Sequence, residues 1–143
     1  VERIHVHNLG YYVLVLAKPY FRSLEWVRQS CLYGSSVNAC KALHGGYVEK
    51  KAVSEAADIS LSDIGFRQLA AFKSEIRRVL FRSIAGLDDV LKSGILEFAD
   101  HYVLVIPAHV VPNPVITVGM GDTISAASYT AEVIGDTSHG GDS

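Results

Sequence analysis

The segment Tyr11-Tyr12-Val13-Leu14-Val15-Leu16 constrains this chain more than any other. Apolar residues stand on both parities, and aromatic and β-branched types dominate. Such a run suits a strand covered on both faces rather than one wetted on one side. Lys18-Pro19 ends it, because proline removes a ladder donor and restricts the residue before it. A second run of this kind, His101-Tyr102-Val103-Leu104-Val105-Ile106, stands in the last third, and Arg3-Ile4-His5-Val6-His7 alternates with the period of a strand. Ser23 reads as the N-cap of a long helix over roughly 24–44, stopped by Gly45-Gly46. Its middle, Cys31 to Cys40, is full of small residues suited to close packing against a sheet.

A shorter helix is expected around 49–57, and another after Ser60, where Ser60-Leu61-Ser62-Asp63 supplies a capping-box pattern. Phe66, Leu69, Ala70, Ile76, Val79 and Leu80 then follow a three-four spacing interrupted by Lys73. Leu87 to Phe98 reads as a further amphipathic helix, and Val115-Ile116-Thr117-Val118 as a strand that turns into a helix near Asp122. Strands alternating with helices predict an α/β fold whose mostly parallel sheet is flanked by helices.

Charge and cysteine content narrow the class. Thirteen Lys and Arg against fifteen Asp and Glu leave a net charge of -2, without the positive excess that phosphate neutralisation on a nucleic acid requires. No apolar run approaches the ~20 residues that span a bilayer. Two cysteines, Cys31 and Cys40, nine positions apart on one predicted helix, read as buried thiols in a reducing, cytoplasmic compartment rather than as a disulfide. With 49% hydrophobic residues the chain has matter for a core.

Asn113-Pro114-Val115-Ile116-Thr117-Val118-Gly119-Met120-Gly121-Asp122-Thr123-Ile124-Ser125 carries the chemistry. A Gly-x-Gly that opens a helix presents unsatisfied first-turn amides at the positive end of the helix dipole, an arrangement suited to an anion. Glycine lets the backbone approach a phosphoryl group closely. Asp122, one residue further, either stabilises the helix start or, beside a phosphate, orients and deprotonates an attacking hydroxyl. Taken alone, the motif also fits a plain strand-to-helix turn.

The run from Tyr102 to Tyr129 and the block from Arg3 to Leu43 together resemble the ADP-dependent sugar kinases, the archaeal phosphofructokinases and glucokinases with a ribokinase-like fold. Val105-Ile106-Pro107, Val110-Val111, Asn113 through Ser125 and the opening Ile4 to Tyr12 carry the resemblance. It implies that residues 1–136 are the C-terminal part of the large nucleotide-binding domain, with 137–143 a frayed tail. It implies ADP-dependent phosphorylation of a hexose or hexose phosphate (fructose 6-phosphate, glucose or both), with ADP as donor, AMP as product and Mg²⁺ as cofactor. Asp122 then looks like the general base, near the metal, and Gly119, Met120 and Gly121 like the anion hole. Val111 resembles the adenine contact, and His7 with Asn8 aligns with a His-Thr pair that contacts ADP. His109 stands where many relatives carry Arg or Lys, which would make any cationic help there pH-dependent.

The sugar lid and the acidic motifs that hold Mg²⁺ through water would lie before Val1, so the chain is expected to be a fragment, inactive alone. Alternatives are an ATP-using ribokinase-like kinase and a non-catalytic nucleotide-binding remnant. His5 and His7 share a strand face, which makes a metal pair conceivable, but no third ligand lies nearby in sequence. Tyr11, Tyr12 and Trp26 read as packing residues. Arg78-Val79-Leu80-Phe81-Arg82-Ser83 reads both as a helix end and as the translation of a common sequencing adapter, so residues 72–84 carry no functional weight.

Overall fold

A computed structural model describes residues 1–46, 49–56, 58–80 and 90–135, without the side chains of residues 50, 79, 80, 90 and 91. In chain order the elements are β1 (Arg3–Asn8), β2 (Tyr11–Ala17), α1 (Leu24–His44), α2 (Lys50–Ala56), α3 (Asp63–Leu80), α4 (Val90–Ser93), β3 (Ile95–Glu97), β4 (His101–Pro107) and α5 (Met120–Ile134). They fall into two compact units. One joins Val1–Phe21 to Leu61–Ala108; the other joins Arg22–Ser60 to the chain from His109 onward.

The first unit is a four-stranded sheet in the order β1-β2-β4-β3. Its three strand pairings are all antiparallel, which corrects the expected mostly parallel sheet. The reason is local. Two residues, Leu9 and Gly10, join β1 to β2, and three join β3 to β4, so both edge strands must run back along their neighbours. Gly10 takes φ +95° at the hairpin, where its carbonyl accepts from the Ala108 amide at 2.8 Å.

One sheet face packs on α3. Leu69, Leu96, Val103 and Val105 form its buried centre, ringed by Tyr11, Val13, Val15, Phe72, Ile76 and Phe98. The other parity of the central strands, Tyr12, Leu14, Leu16, Leu104 and Ile106, is buried as well, so the double-sided run behaves as its composition requires. The cap of α3 lies two residues later than Ser60: the Ser62 hydroxyl accepts from the amides of Ile64 (3.1 Å) and Gly65 (3.4 Å). Within the expected helix from Leu87 to Phe98, residues 87–89 lie outside the described ones. The remainder holds only one helical turn before Gly94, at φ +71°, hands the chain to β3. Ile95 and Leu96 pair with Leu104 and Val103, a ladder that outweighs a short helical pattern. The expected frayed tail also lies outside the described residues, as does the junction from Phe81 to Ser83, while Arg78 continues α3.

The second unit is helical. Ser23 caps α1 by accepting from the Trp26 amide, and Gly45 closes it at φ 74° with its N–H on the Lys41 carbonyl. The small residues of α1 meet a helix within this unit: a Cβ on Gly34 would overlap the Ser128 hydroxyl and stand 3.1 Å from the Ile124 carbonyl of α5. At the far end of α5, Arg22 donates to the Glu132 and Val133 carbonyls, and the Trp26 indole to that of Glu132, satisfying acceptors the helix end leaves open. Cys31 and Cys40 are buried and form no disulfide, and burial pushes the Cys40 pKa upward. Val115–Val118 forms no strand; Val115 donates one backbone bond to Ala42, and without a neighbouring ladder the β-branched pattern has nothing to pair with.

Candidate nucleotide and phosphoryl site

The Gly-x-Gly-Asp segment opens α5, two residues earlier than Asp122 itself. Gly119 is the N-cap in the left-handed region, φ 68° and ψ 16°, a conformation that disfavours any residue with a Cβ. It has no side chain to cap the helix, so the amides of Met120, Gly121 and Asp122 belong to the uncapped first turn. The ladder begins with the Thr123 amide on the Gly119 carbonyl at 3.1 Å. Asp122 lies exposed in that same first turn. The sequence-predicted anion residues Gly119, Met120 and Gly121 and the predicted base are thus brought into one helical turn.

Two further side chains hold this turn. The Thr123 hydroxyl donates to the Gly119 carbonyl at 2.8 Å. Lys41, in the last turn of α1, donates to the Thr123 oxygen at 2.9 Å and to the Gly119 carbonyl at 3.4 Å. Sequence reading missed Lys41. In the sequence it is an ordinary basic residue near a helix C-terminus, where it complements the dipole; only the fold brings it to a partner 78 residues further along the chain.

Val111 is half-buried against the cluster of Ala39, Cys40 and Ala56, an apolar surface of the kind expected to face a base. His109, where the sequence makes any cationic help dependent on pH, lies against α1. Its backbone N–H donates to Ser35 Oγ at 2.8 Å, and the same hydroxyl lies 2.9 Å from Nδ1. Burial lowers the ring's pKa below its ordinary value. Any cationic help from His109 is therefore weighted towards lower pH.

His7 and Asn8 belong to the sheet unit, at the exposed end of β1. The Asn8 carboxamide is already organised: Oδ1 accepts from the Leu9 amide at 2.7 Å, and Nδ2 donates to the Tyr11 hydroxyl at 3.2 Å. His5 and His7 stack edge-on at 6.0 Å, and His5 meets Tyr12 at 5.7 Å. Burial first, and then the charge of Arg3, holds the His5 pKa at about 4. No cluster of three or more potential metal-ligating residues occurs among the described residues, and no helix among them is long and apolar enough to cross a membrane.

Comparison with known proteins agrees with the resemblance. Residues 1–131 match the family described as the ADP-specific Phosphofructokinase/Glucokinase conserved region. The chain is 36% identical over 132 residues to the ADP-specific phosphofructokinase of Methanosarcina acetivorans, covering 92% of this chain and 26% of that protein. It is 30% identical over 132 residues to the ADP-dependent glucose/glucosamine kinase of Pyrococcus abyssi, covering 92% of this chain and 25% of that one. A solved ADP-dependent kinase in complex with fructose-6-phosphate and ADPbetaS superposes with TM-score 0.83 and 38% identity, over 92% of this chain and 28% of that structure. The chain therefore spans about a quarter of the length of the relatives it matches. With an α/β fold shared with these kinases and the family's region running through its Gly-rich turn, the chain belongs to the ADP-specific phosphofructokinase/glucokinase family.

Proposed function

We propose that this chain is the C-terminal portion of the ribokinase-like, nucleotide-binding domain of an ADP-dependent kinase. The enzyme transfers the β-phosphoryl group of ADP to a hydroxyl of a hexose or hexose phosphate, fructose 6-phosphate or glucose, in cytoplasmic glycolysis. One observation carries the reading: an uncapped first turn at Gly119–Gly121 with Asp122 exposed within it, in a chain of this family.

The sugar hydroxyl loses its proton to the Asp122 carboxylate as its oxygen bonds to the β-phosphorus. The bond from that phosphorus to the bridging oxygen breaks, and AMP leaves with the electron pair. Charge on the equatorial oxygens faces the first-turn amides from Met120 onward, whose orientation is preset by the helix. Val111 supplies apolar contact to adenine, and His7 with Asn8 supplies polar contact to the nucleotide.

Magnesium would suit a site where one carboxylate, Asp122 in the first turn of α5, adjoined the phosphates of a nucleotide, because it retains waters and takes few protein ligands. When bound, it would neutralise phosphate charge.

The test places this chain in the position of the matching quarter of the Methanosarcina acetivorans relative and assays the chimera. Asp122→Asn is expected to lower kcat by ~100-fold or more with little change in ADP affinity. Near-normal turnover overturns the assignment, and faster turnover with ATP than with ADP redirects it to a different donor.

A further inference from the structure

We infer that Lys41 is a positioning residue for the phosphoryl end of the nucleotide, an inference that rests on the phosphotransfer reading above. Its amine donates to the carbonyl of Gly119 and to the hydroxyl of Thr123.

The Gly119 carbonyl receives three donors: the Thr123 amide at 3.1 Å, the Thr123 hydroxyl at 2.8 Å and Lys41 Nζ at 3.4 Å. A trans peptide is planar, with its C=O and N–H opposed, so holding the Gly119 oxygen also aims the N–H of Met120. That amide is the first of the uncapped turn. Glycine at φ 68° has no Cβ to restrict the peptide, and the clasp supplies the restriction that the residue type withholds. The ammonium also adds a full positive charge beside the partial charge of the helix start, where a transferred phosphoryl group would gain most.

Lys41 is half-buried, which shields the charge from water more than a free surface lysine would be. Thr123 completes the device. Its hydroxyl donates to Gly119 while accepting from Lys41, which relays the cation's polarisation to the same carbonyl. A lysine present only to cap α1 would stabilise the helix yet leave nucleotide recognition unchanged.

The experiment titrates the chain with ADP and with AMP, which differ by the phosphoryl group alone, in the unaltered protein, Lys41→Met and Lys41→Arg. ADP affinity is expected to fall about tenfold in Lys41→Met while AMP affinity stays within about twofold, with Lys41→Arg within about threefold of the unaltered protein for both. Equal loss of ADP and AMP, or no loss of either, overturns the role of Lys41 and leaves the kinase reading standing. Failure of the unaltered chain to bind either nucleotide takes down the nucleotide reading and this inference with it. A Lys41→Met melting curve is recorded alongside, and a variant that melts like the unaltered chain but keeps its ADP preference also overturns the proposal.

Discussion

The sheet unit is filled by aliphatic and aromatic side chains, whereas the helical unit is held by small and polar ones. In the first, Leu14, Leu16, Leu96, Leu104, Val105 and Ile106 are nearly or wholly buried. In the second, Ser30, Ser35, Ser36, Asn38, Ser128 and Glu132 are buried alongside Gly34, Ala39 and Cys40. Aliphatic cores gain from area removed from water, and a lost side chain leaves a cavity. Close-packed helices gain from backbone proximity, and an added atom has nowhere to go. The family's Gly-rich turn belongs to the second unit, where Gly119 is held by its left-handed backbone rather than by lack of space.

Substitutions separate the two regimes. Leu104→Ala, in the central strand β4, should cost about 2–5 kcal/mol in chemical denaturation, the range for an unrelaxed cavity. A loss under 1 kcal/mol would show that the sheet repacks and would erase the contrast. Gly34→Ala makes the opposite error, forcing a methyl group into the Ser128 hydroxyl. It should cost about 1–3 kcal/mol despite alanine's better helix propensity. A stabilised Gly34→Ala protein would mean that α1 and α5 are not in close contact.

Gly119→Ala tests conformation more than volume, since the added Cβ would stand 3.4 Å from Lys41 Nζ. The left-handed backbone alone should cost about 1 kcal/mol. The Met120 and Gly121 amide resonances should shift, and unchanged spectra would show that the turn does not need glycine.

The smallest expected effect is in pH. His5 is neutral in the fold to about pH 4, against an ordinary value of 6.5, so the unfolded chain binds the proton first. Stability should be level above pH 6.5 and decline as the pH falls through the window to 4; buried His109, also shifted downward, acts in the same direction. His5→Gln should flatten part of that decline in denaturant midpoints, and an unchanged slope would assign it to other groups.

Legibility followed the range of the interaction. Ser23 and Gly45 act on atoms within a few residues, so their caps could be read from the chain. Whether β2 and β4 run parallel could not, because the choice depends on the whole connection between them. The short segment Ile95–Glu97 has too few residues to declare its period, and the neighbouring strand β4 decided it. The cap stands at Ser62 rather than Ser60, where α3 comes close to distant backbone: a Cβ on Gly65 would stand 2.9 Å from the Pro107 Cα.

By itself the amino-acid order determined the apolar runs that must be covered on both faces, the long capped helix and the Gly-x-Gly-Asp turn. All are properties of neighbouring residues, whose sterics and hydrogen bonds are settled locally. Tertiary structure alone decided the antiparallel pairing of β2 with β4, the seat of His109 against Ser35, and the reach of Lys41 to Gly119 and Thr123. Those outcomes join residues far apart in the chain, and only when the loop-closure entropy has been offset by packing do such groups meet.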